Sequence, residues 1–207
     1  MSDIKPVVKP KSAAKPKPKP KAKPKSVLQD GMDIALASQL IQLGARLQVL
    51  EAETGLSSDR LSRLYHEIHH CSPPKGMLPY STDWFMSFHQ NIHSTLFYSI
   101  YQNLVTHTET QGIQAIIDAY TLYLEHDEVQ RTWESGGKEP VLGFTRAWML
   151  VRFFNSGQMQ MSACNICSVS FVTHKHELET DFVCVMCKPP ARIVGMLNKQ
   201  EGYFGKF

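Results

Sequence analysis

From Val27 onward apolar side chains return every three or four residues. Ile34, Leu40, Ile41, Leu43, Leu47 and Leu50 trace one face, which predicts a long first helix ending where Thr54-Gly55 breaks the pattern. Ser57 or Ser58 is placed to cap a second helix carrying Leu61, Leu64, Tyr65 and Ile68, and Ser72-Pro73-Pro74-Lys75-Gly76 stops it. A third helix is predicted to start at Ser81 or Thr82, anchored by Trp84, with Phe85, Phe88, Ile92, Leu96, Ile100 and Leu104 as its stripe. Gly112 separates off a fourth, on which Ile113, Ile116, Ile117, Tyr120 and Leu124 face one way. Residues 130–139 are polar, contain Gly136-Gly137 and read as a loop. Pro140 then suits the first turn of a fifth helix ending at Gly157. Strands and helices do not alternate, and there is no glycine-rich phosphate loop and no solenoid repeat. Doubly wound nucleotide folds and P-loop enzymes are therefore poor candidates.

After Gly157 the texture changes to Cys164-Asn165-Ile166-Cys167 and, sixteen residues later, Cys184-Val185-Met186-Cys187. Each C-x-x-C pair can present two thiolates to one ion, and two pairs close a tetrahedron around Zn2+ with no position left for water or substrate. One structural ion per chain is expected, not a catalytic one. The 24 residues from first to last cysteine are too few for a core of their own, so metal binding worth about 10 to 16 kcal/mol is what would fold them. Val169-Ser170-Phe171-Val172-Thr173 and Phe182-Val183 fit the short strands of a zinc ribbon or a treble-clef-like knuckle pair. His174 and His176 lie between the pairs and are alternative ligands, but the four sulfurs already complete the coordination. Cys71 stands apart as a free thiol. An odd cysteine count, in a chain without a secretory signal pattern, also speaks against a disulfide scaffold.

Charge divides the chain unevenly. Residues 1–25 hold nine lysines, one aspartate and six prolines, a balance of +8, and Lys15-Pro16-Lys17-Pro18-Lys19-Pro20 favours an extended, self-repelling segment. This is a solubilising leader or a loose polyanion-binding arm, and it has no means of reading bases. Residues 26–160 carry 8 basic and 14 acidic side chains, and residues 161–207 carry 5 and 4. An acidic body repels phosphate, so any nucleic-acid role needs a local patch, the leader or a partner. No apolar run approaches the roughly 18 residues needed to span a bilayer, and the chain is expected to stay in the cytoplasm.

Two further motifs invite chemistry. His66-Glu67-Ile68-His69-His70 matches H-E-x-x-H, in which His66 and His70 would hold a catalytic metal beside Glu67. It falls at a helix end just before Ser72-Pro73-Pro74, however, and histidines favoured there by the helix dipole explain it adequately. His89 and His93 also share a face and read as partner-facing or core-edge residues. Residues 51–64 have the texture of a helix-turn-helix, with Gly55 at the turn, Leu56 plugging the angle, and Arg60 and Arg63 facing outward at the start of the second helix.

Three stretches together resemble the FlhC family of bacterial flagellar transcription activators. They are Lys75-Gly76-Met77-Leu78-Pro79-Tyr80-Ser81-Thr82-Asp83-Trp84-Phe85, then Thr145-Arg146-Ala147-Trp148 with Leu150-Val151-Arg152-Phe153, then the four cysteines with Thr173-His174-Lys175-His176. Leu43-Gly44-Ala45-Arg46-Leu47-Gln48 belongs to the same likeness, which runs over about residues 34–192. The resemblance implies a non-enzymatic, zinc-containing, mainly helical DNA-binding subunit that works with FlhD in a hetero-oligomer at flagellar promoters and helps recruit RNA polymerase. Cys164, Cys167, Cys184 and Cys187 match the family's zinc ligands. His174, Lys175, His176, Lys188 and Arg192, with Arg60 and Arg63, are the candidate DNA contacts. The acidic body would then meet FlhD instead of phosphate. The competing reading is a helical protein-interaction adaptor with a purely structural zinc site. The expected layout is a leader over 1–26, a helical body and partner-binding region over 27–160, a four-cysteine zinc module over 161–192 and a tail over 193–207.

Overall fold

The computed structural model describes residues 26–126, 140–176 and 181–195. The lysine-proline leader, the loop read over 130–139 and most of the C-terminal tail lie outside them. The fold is mainly helical, as expected, with a small strand region and the cysteine cluster at its C-terminal side. Among the described residues no helix is long and apolar enough to cross a membrane.

The predicted long first helix is two. Helix α1 spans Val27–Gln42 and α2 spans Leu47–Glu53. Between them Gly44 takes a left-handed φ of 83°, while the Ala45 N–H reaches Leu40 O and the Gly44 N–H reaches Ile41 O, both at 2.9 Å. That double bond pattern closes a helix end around a left-handed residue, and glycine adopts it without the Cβ penalty. The apolar spacing runs on unbroken across the turn, which is why periodicity alone joined the two. Ala37, Leu40, Ile41, Ala45, Val49 and Leu50 are all fully buried.

Helix α3 spans Ser58–His69, with Ser57 in the cap position receiving the Leu61 N–H at 3.0 Å. Leu56 is buried in the turn between α2 and α3 as expected. The turn is held from outside as well, since Asp33 of α1 accepts the Gly55 N–H at 2.9 Å. Ahead of the third predicted helix, Asp83–Met86 forms a 3-10 turn, and α4 itself spans Phe88–His107. Helix α5 spans Gly112–Glu125 and α6 spans Phe144–Asn155. Pro140 is therefore not in the first turn of α6. The chain from Pro140 to Gly143 runs ahead of the helix because Leu142, fully buried, is bonded through its backbone to two tyrosines of α5. Tyr120 Oη donates to Leu142 O at 3.0 Å, and the Leu142 N–H donates to Tyr123 Oη at 3.4 Å.

Helix α4 is the hub and packs against α5, α6, the 3-10 turn and the second strand. Phe97 sits fully buried with the rings of Tyr120 and Tyr123 edge-on at 6.3 Å. The strands are β1, Met159–Ala163, and β2, Ser170–His174, paired antiparallel with Met161 opposite Val172. Phe182-Val183, expected as a strand, lies outside both and packs instead beside Cys164, Cys184 and Phe171. Met159, Met161 and Val172 join the helical core, whereas Phe171, on the alternate face, joins the sulfur cluster. The hairpin is thus apolar toward two different partners.

Candidate metal centre and nucleic-acid interface

The first cysteine pair forms the turn of the hairpin. The Ser168 N–H reaches Cys164 O at 2.8 Å, the Cys164 N–H reaches Val169 O at 3.0 Å, and Ser168 adopts a left-handed φ of 60° to complete the knuckle. The second pair makes a matching turn, with the Lys188 N–H on Cys184 O at 3.0 Å, and the Asn165 N–H donates to Phe182 O at 2.9 Å to tie the two together. The four Sγ atoms converge to within 4.8 Å of one another, and Cys167 Sγ and Cys184 Sγ are 3.8 Å apart. An ion about 2.3 Å from each of four sulfurs would set the sulfurs about 3.8 Å apart. Backbone N–H groups already address the sulfurs: Ile166 and Cys184 donate to Cys164 Sγ at 3.4 and 3.3 Å, and Cys187 donates to Cys184 Sγ at 3.3 Å.

Those donors stabilise a thiolate. The Cys184 N–H above all holds Cys164 down at about 6, against the pull of burial. Its neighbours respond in the opposite sense. Cys187 is pushed up to about 12, first by its hydrogen bond with Cys167 and then by that with Cys184, and burial raises Cys184. One negative sulfur is favoured, and four together need a cation among them. The donor set therefore fits a soft-ligand dication closed off from solvent chemistry. Such a centre takes up metal with release of protons and loses it as the pH falls.

Among the described residues these cysteines are the one group of three or more ligand side chains that converges. His174 is half-buried and faces Asp83, with Nε2 3.4 Å from Oδ1, while His176 is exposed; neither joins the sulfurs. Cys71 is exposed and distant from them. The H-E-x-x-H motif does not assemble. His66 and Glu67 are exposed, His69 Nε2 sits 3.0 Å from Ile41 O, and His70 caps α3 in a left-handed conformation that turns the chain out of the helix. His93 is buried with Nδ1 2.8 Å from Tyr123 Oη, and His89 is exposed.

Lys188 and Arg192 are exposed after the second knuckle, and Lys175 is exposed at the open end of the hairpin, its N–H on Gln158 O. Arg60 and Arg63 are exposed on α3, but Arg60 is paired with Asp30 of α1 at 2.8 Å. Glu53 is also engaged, accepting the Trp148 indole N–H at 2.7 Å.

Pattern reading missed the residues that attach the metal module to the body. Asn91 and Thr95, one turn apart on α4, grip both polar groups of the Val172 backbone. Asn91 Nδ2 donates to Val172 O at 2.8 Å and to Phe85 O at 3.0 Å, and the Val172 N–H donates to Thr95 Oγ1 at 3.1 Å. Both side chains are buried. The signal available was two polar residues beside an otherwise apolar stripe, four apart. Nothing in the chain showed that a strand edge would lie against them.

Comparison with known proteins gives one consistent result. A family model described as "Flagellar transcriptional activator (FlhC)" matches residues 22–200. The chain is 54% identical over 167 residues to the flagellar transcriptional regulator FlhC of Gallionella capsiferriformans (strain ES-2), covering 81% of this chain and 89% of that protein. The protein of the same name from Yersinia enterocolitica is 52% identical over 169 residues, 82% of this chain and 85% of the relative. That from Paraburkholderia atlantica is 53% identical over 167 residues, 81% and 74% respectively.

Proposed function

The chain belongs to the FlhC family of flagellar transcriptional activators, and from that premise we propose that it is a DNA-binding activator subunit. On this reading it assembles with FlhD into a hetero-oligomer, binds promoters of flagellar operons and promotes their transcription by RNA polymerase. The observation that carries the reading is the convergence of four sulfurs at the tip of a hairpin, with Lys188 and Arg192 exposed after the second knuckle and Lys175 exposed at the hairpin's open end, beside an otherwise acidic body.

Cys164, Cys167, Cys184 and Cys187 would hold one Zn2+ per chain. When bound, the ion supplies shape and charge neutralisation, with no ligand position open for a reaction. On this reading Lys188 and Arg192 beside the second knuckle address phosphate, as does Lys175 at the open end of the hairpin, where His174 and His176 offer ring N–H donors. These contacts orient the module on the duplex without themselves encoding sequence. Arg63 is the freer of the two α3 arginines, and Arg60 would first have to leave Asp30.

Helix α1 leaves Val27, Leu28 and Met32 exposed, an apolar strip that FlhD would cover on this reading. The strip also favours the adaptor reading, in which the centre clamps proteins together and no DNA is bound. Retardation of a flagellar promoter fragment separates the two: the complex with FlhD should shift it, and an intact complex that shifts no duplex leaves the adaptor.

The lysine-proline leader has its own expected outcome. A chain lacking residues 1–25 should bind duplex more weakly and with a shallower dependence of log K on log salt, because fewer counterions are displaced. Equal slopes for the two chains across a salt series would assign the leader to solubility.

A further inference from the structure

The three stretches that carry the family likeness in the helical body meet at one place. Arg46 Nη1 donates to Met77 O at 2.7 Å, Gln48 Nε2 donates to Gly76 O at 2.8 Å, and the Arg46 N–H donates to Thr145 Oγ1 at 3.0 Å. The Arg146 guanidinium lies over the Trp84 ring, 3.7 Å from its centroid. Gly76 adopts a φ of +127°, and a Cβ there would meet Arg46 Nη1 at 3.4 Å, so the segment lies against the guanidinium. Arg46 and Arg146 line the same cavity, about 300 Å³ in volume, together with Gly44, Pro79, Gly143 and Thr145. A water in the liquid takes roughly 30 Å³, so the cavity holds a small tetrahedral anion with several waters.

Among the described residues the cavity's charge is uncompensated. Among the described residues neither arginine has a carboxylate within ion-pair distance. Arg46 commits one of its five donors to Met77, and Arg146 presents a face to Trp84 while its edges meet no acceptor among the described residues. Burial, and after it the Arg46 charge, lower the proton affinity of Arg146. Two like charges held together in a half-buried site cost free energy that an anion between them offsets. Gly143, the N-cap of the twelve-residue α6, with Phe144 and Thr145 of its first turn, adds the positive end of a helix dipole. Position favours a nucleic-acid phosphate as that anion. Asp83, next to Trp84 in sequence, reaches His174 Nε2 at 3.4 Å, so Trp84 and the Arg146 guanidinium on it adjoin the open end of the hairpin, which carries Lys175 and His176.

We propose that Arg46 and Arg146 form a clamp for one backbone phosphate of duplex DNA, extending the hairpin's contact surface onto the helical body. The proposal rests on the DNA-binding reading given above. Guanidinium forks suit phosphate oxygens better than any other side chain does, and Trp84 holds the Arg146 plane fixed before the ligand arrives.

The test uses the full chain in complex with FlhD and measures duplex affinity across a salt series for the parent and Arg146→Gln. One phosphate contact corresponds to a log-log slope change of about 0.9, which at physiological salt amounts to roughly fivefold in affinity. The variant should lose that amount on promoter and random duplex alike, with thermal midpoint and FlhD assembly unchanged. Arg146→Met, which keeps an unbranched stem against Trp84, gives the same readout where the glutamine variant does not fold. An unchanged slope overturns the clamp. Loss of FlhD assembly at an unchanged midpoint also overturns it, and assigns the cavity to a partner carboxylate. A parent complex that binds no duplex overturns the DNA-binding reading itself, a result distinct from either.

Discussion

Cys184→Ser is expected to reduce bound metal from one ion per chain to a trace, with loss of promoter binding by the FlhD complex. Cys184 is fully buried, accepts the Cys187 N–H and lies 3.8 Å from Cys167, so its sulfur holds the two knuckles together. Serine offers a harder, weaker ligand that stays protonated at neutral pH. With it the site loses most of the roughly 10 to 16 kcal/mol that a structural zinc contributes. The satellite cluster that remains, Phe171 with Phe182, Val183 and Val185, cannot hold the module by itself. Metal analysis and promoter retardation on the same preparation check this. Stoichiometric metal in the variant would mean that three sulfurs suffice. The α-helical circular dichroism should survive, because the helical core lies on the other face of the hairpin.

The second large effect lies away from the sulfurs. Asn91→Leu is expected to destabilise the chain by about 2 to 5 kcal/mol and to loosen the metal module without touching a ligand. Asn91 Nδ2 serves two buried carbonyls, those of Phe85 and Val172. Removing a donor leaves each acceptor dry at about 1 to 3 kcal/mol. Leucine keeps the branched shape of asparagine, so no cavity opens and the loss reports hydrogen bonding. Denaturant unfolding gives the magnitude. Hydrogen exchange gives the location: protection should fall along β2 and the 3-10 turn before it falls in α5. A change below about 1 kcal/mol would mean that water replaces the amide.

Much of this was legible along the chain. The sulfur quartet could be read from spacing because a knuckle is a local turn and two of them need only a loop between. Helix α3, the Leu56 plug and the stripe of α5 followed from caps and period, which are also local properties. What escaped was set by distant neighbours. Gly44 ends α1 although Leu47 and Val49 continue its apolar face, since a left-handed turn leaves no mark on periodicity. Pro140 looked like a helix start until Tyr120 and Tyr123, some twenty residues upstream, took the Leu142 backbone for themselves. The stripe chosen for α4 included Phe88 and Ile92, yet its deepest face carries Asn91, Ser94 and Thr95. Hydrophobicity cannot find a position whose task is to satisfy a strand edge.

Candidate DNA contacts divide in the same manner. Basic residues near the cysteines were visible as composition, but Arg60 looked available only because Asp30 is thirty positions away. Arg46 and Arg146 are a hundred positions apart, so nothing along the chain marks them as a pair.

The first knuckle is also the turn of the hairpin, and this joins two kinds of order. Shifting β2 by one residue against β1 would exchange Val172 for Phe171 on the helix side, and it would carry Cys167 out of reach of Cys184. Only a correctly registered hairpin can therefore take up its ion, and the ion, once bound, freezes that alignment. A bound ion would thus lock from the turn the same alignment that Asn91 and Thr95 impose from helix α4 through the Val172 backbone.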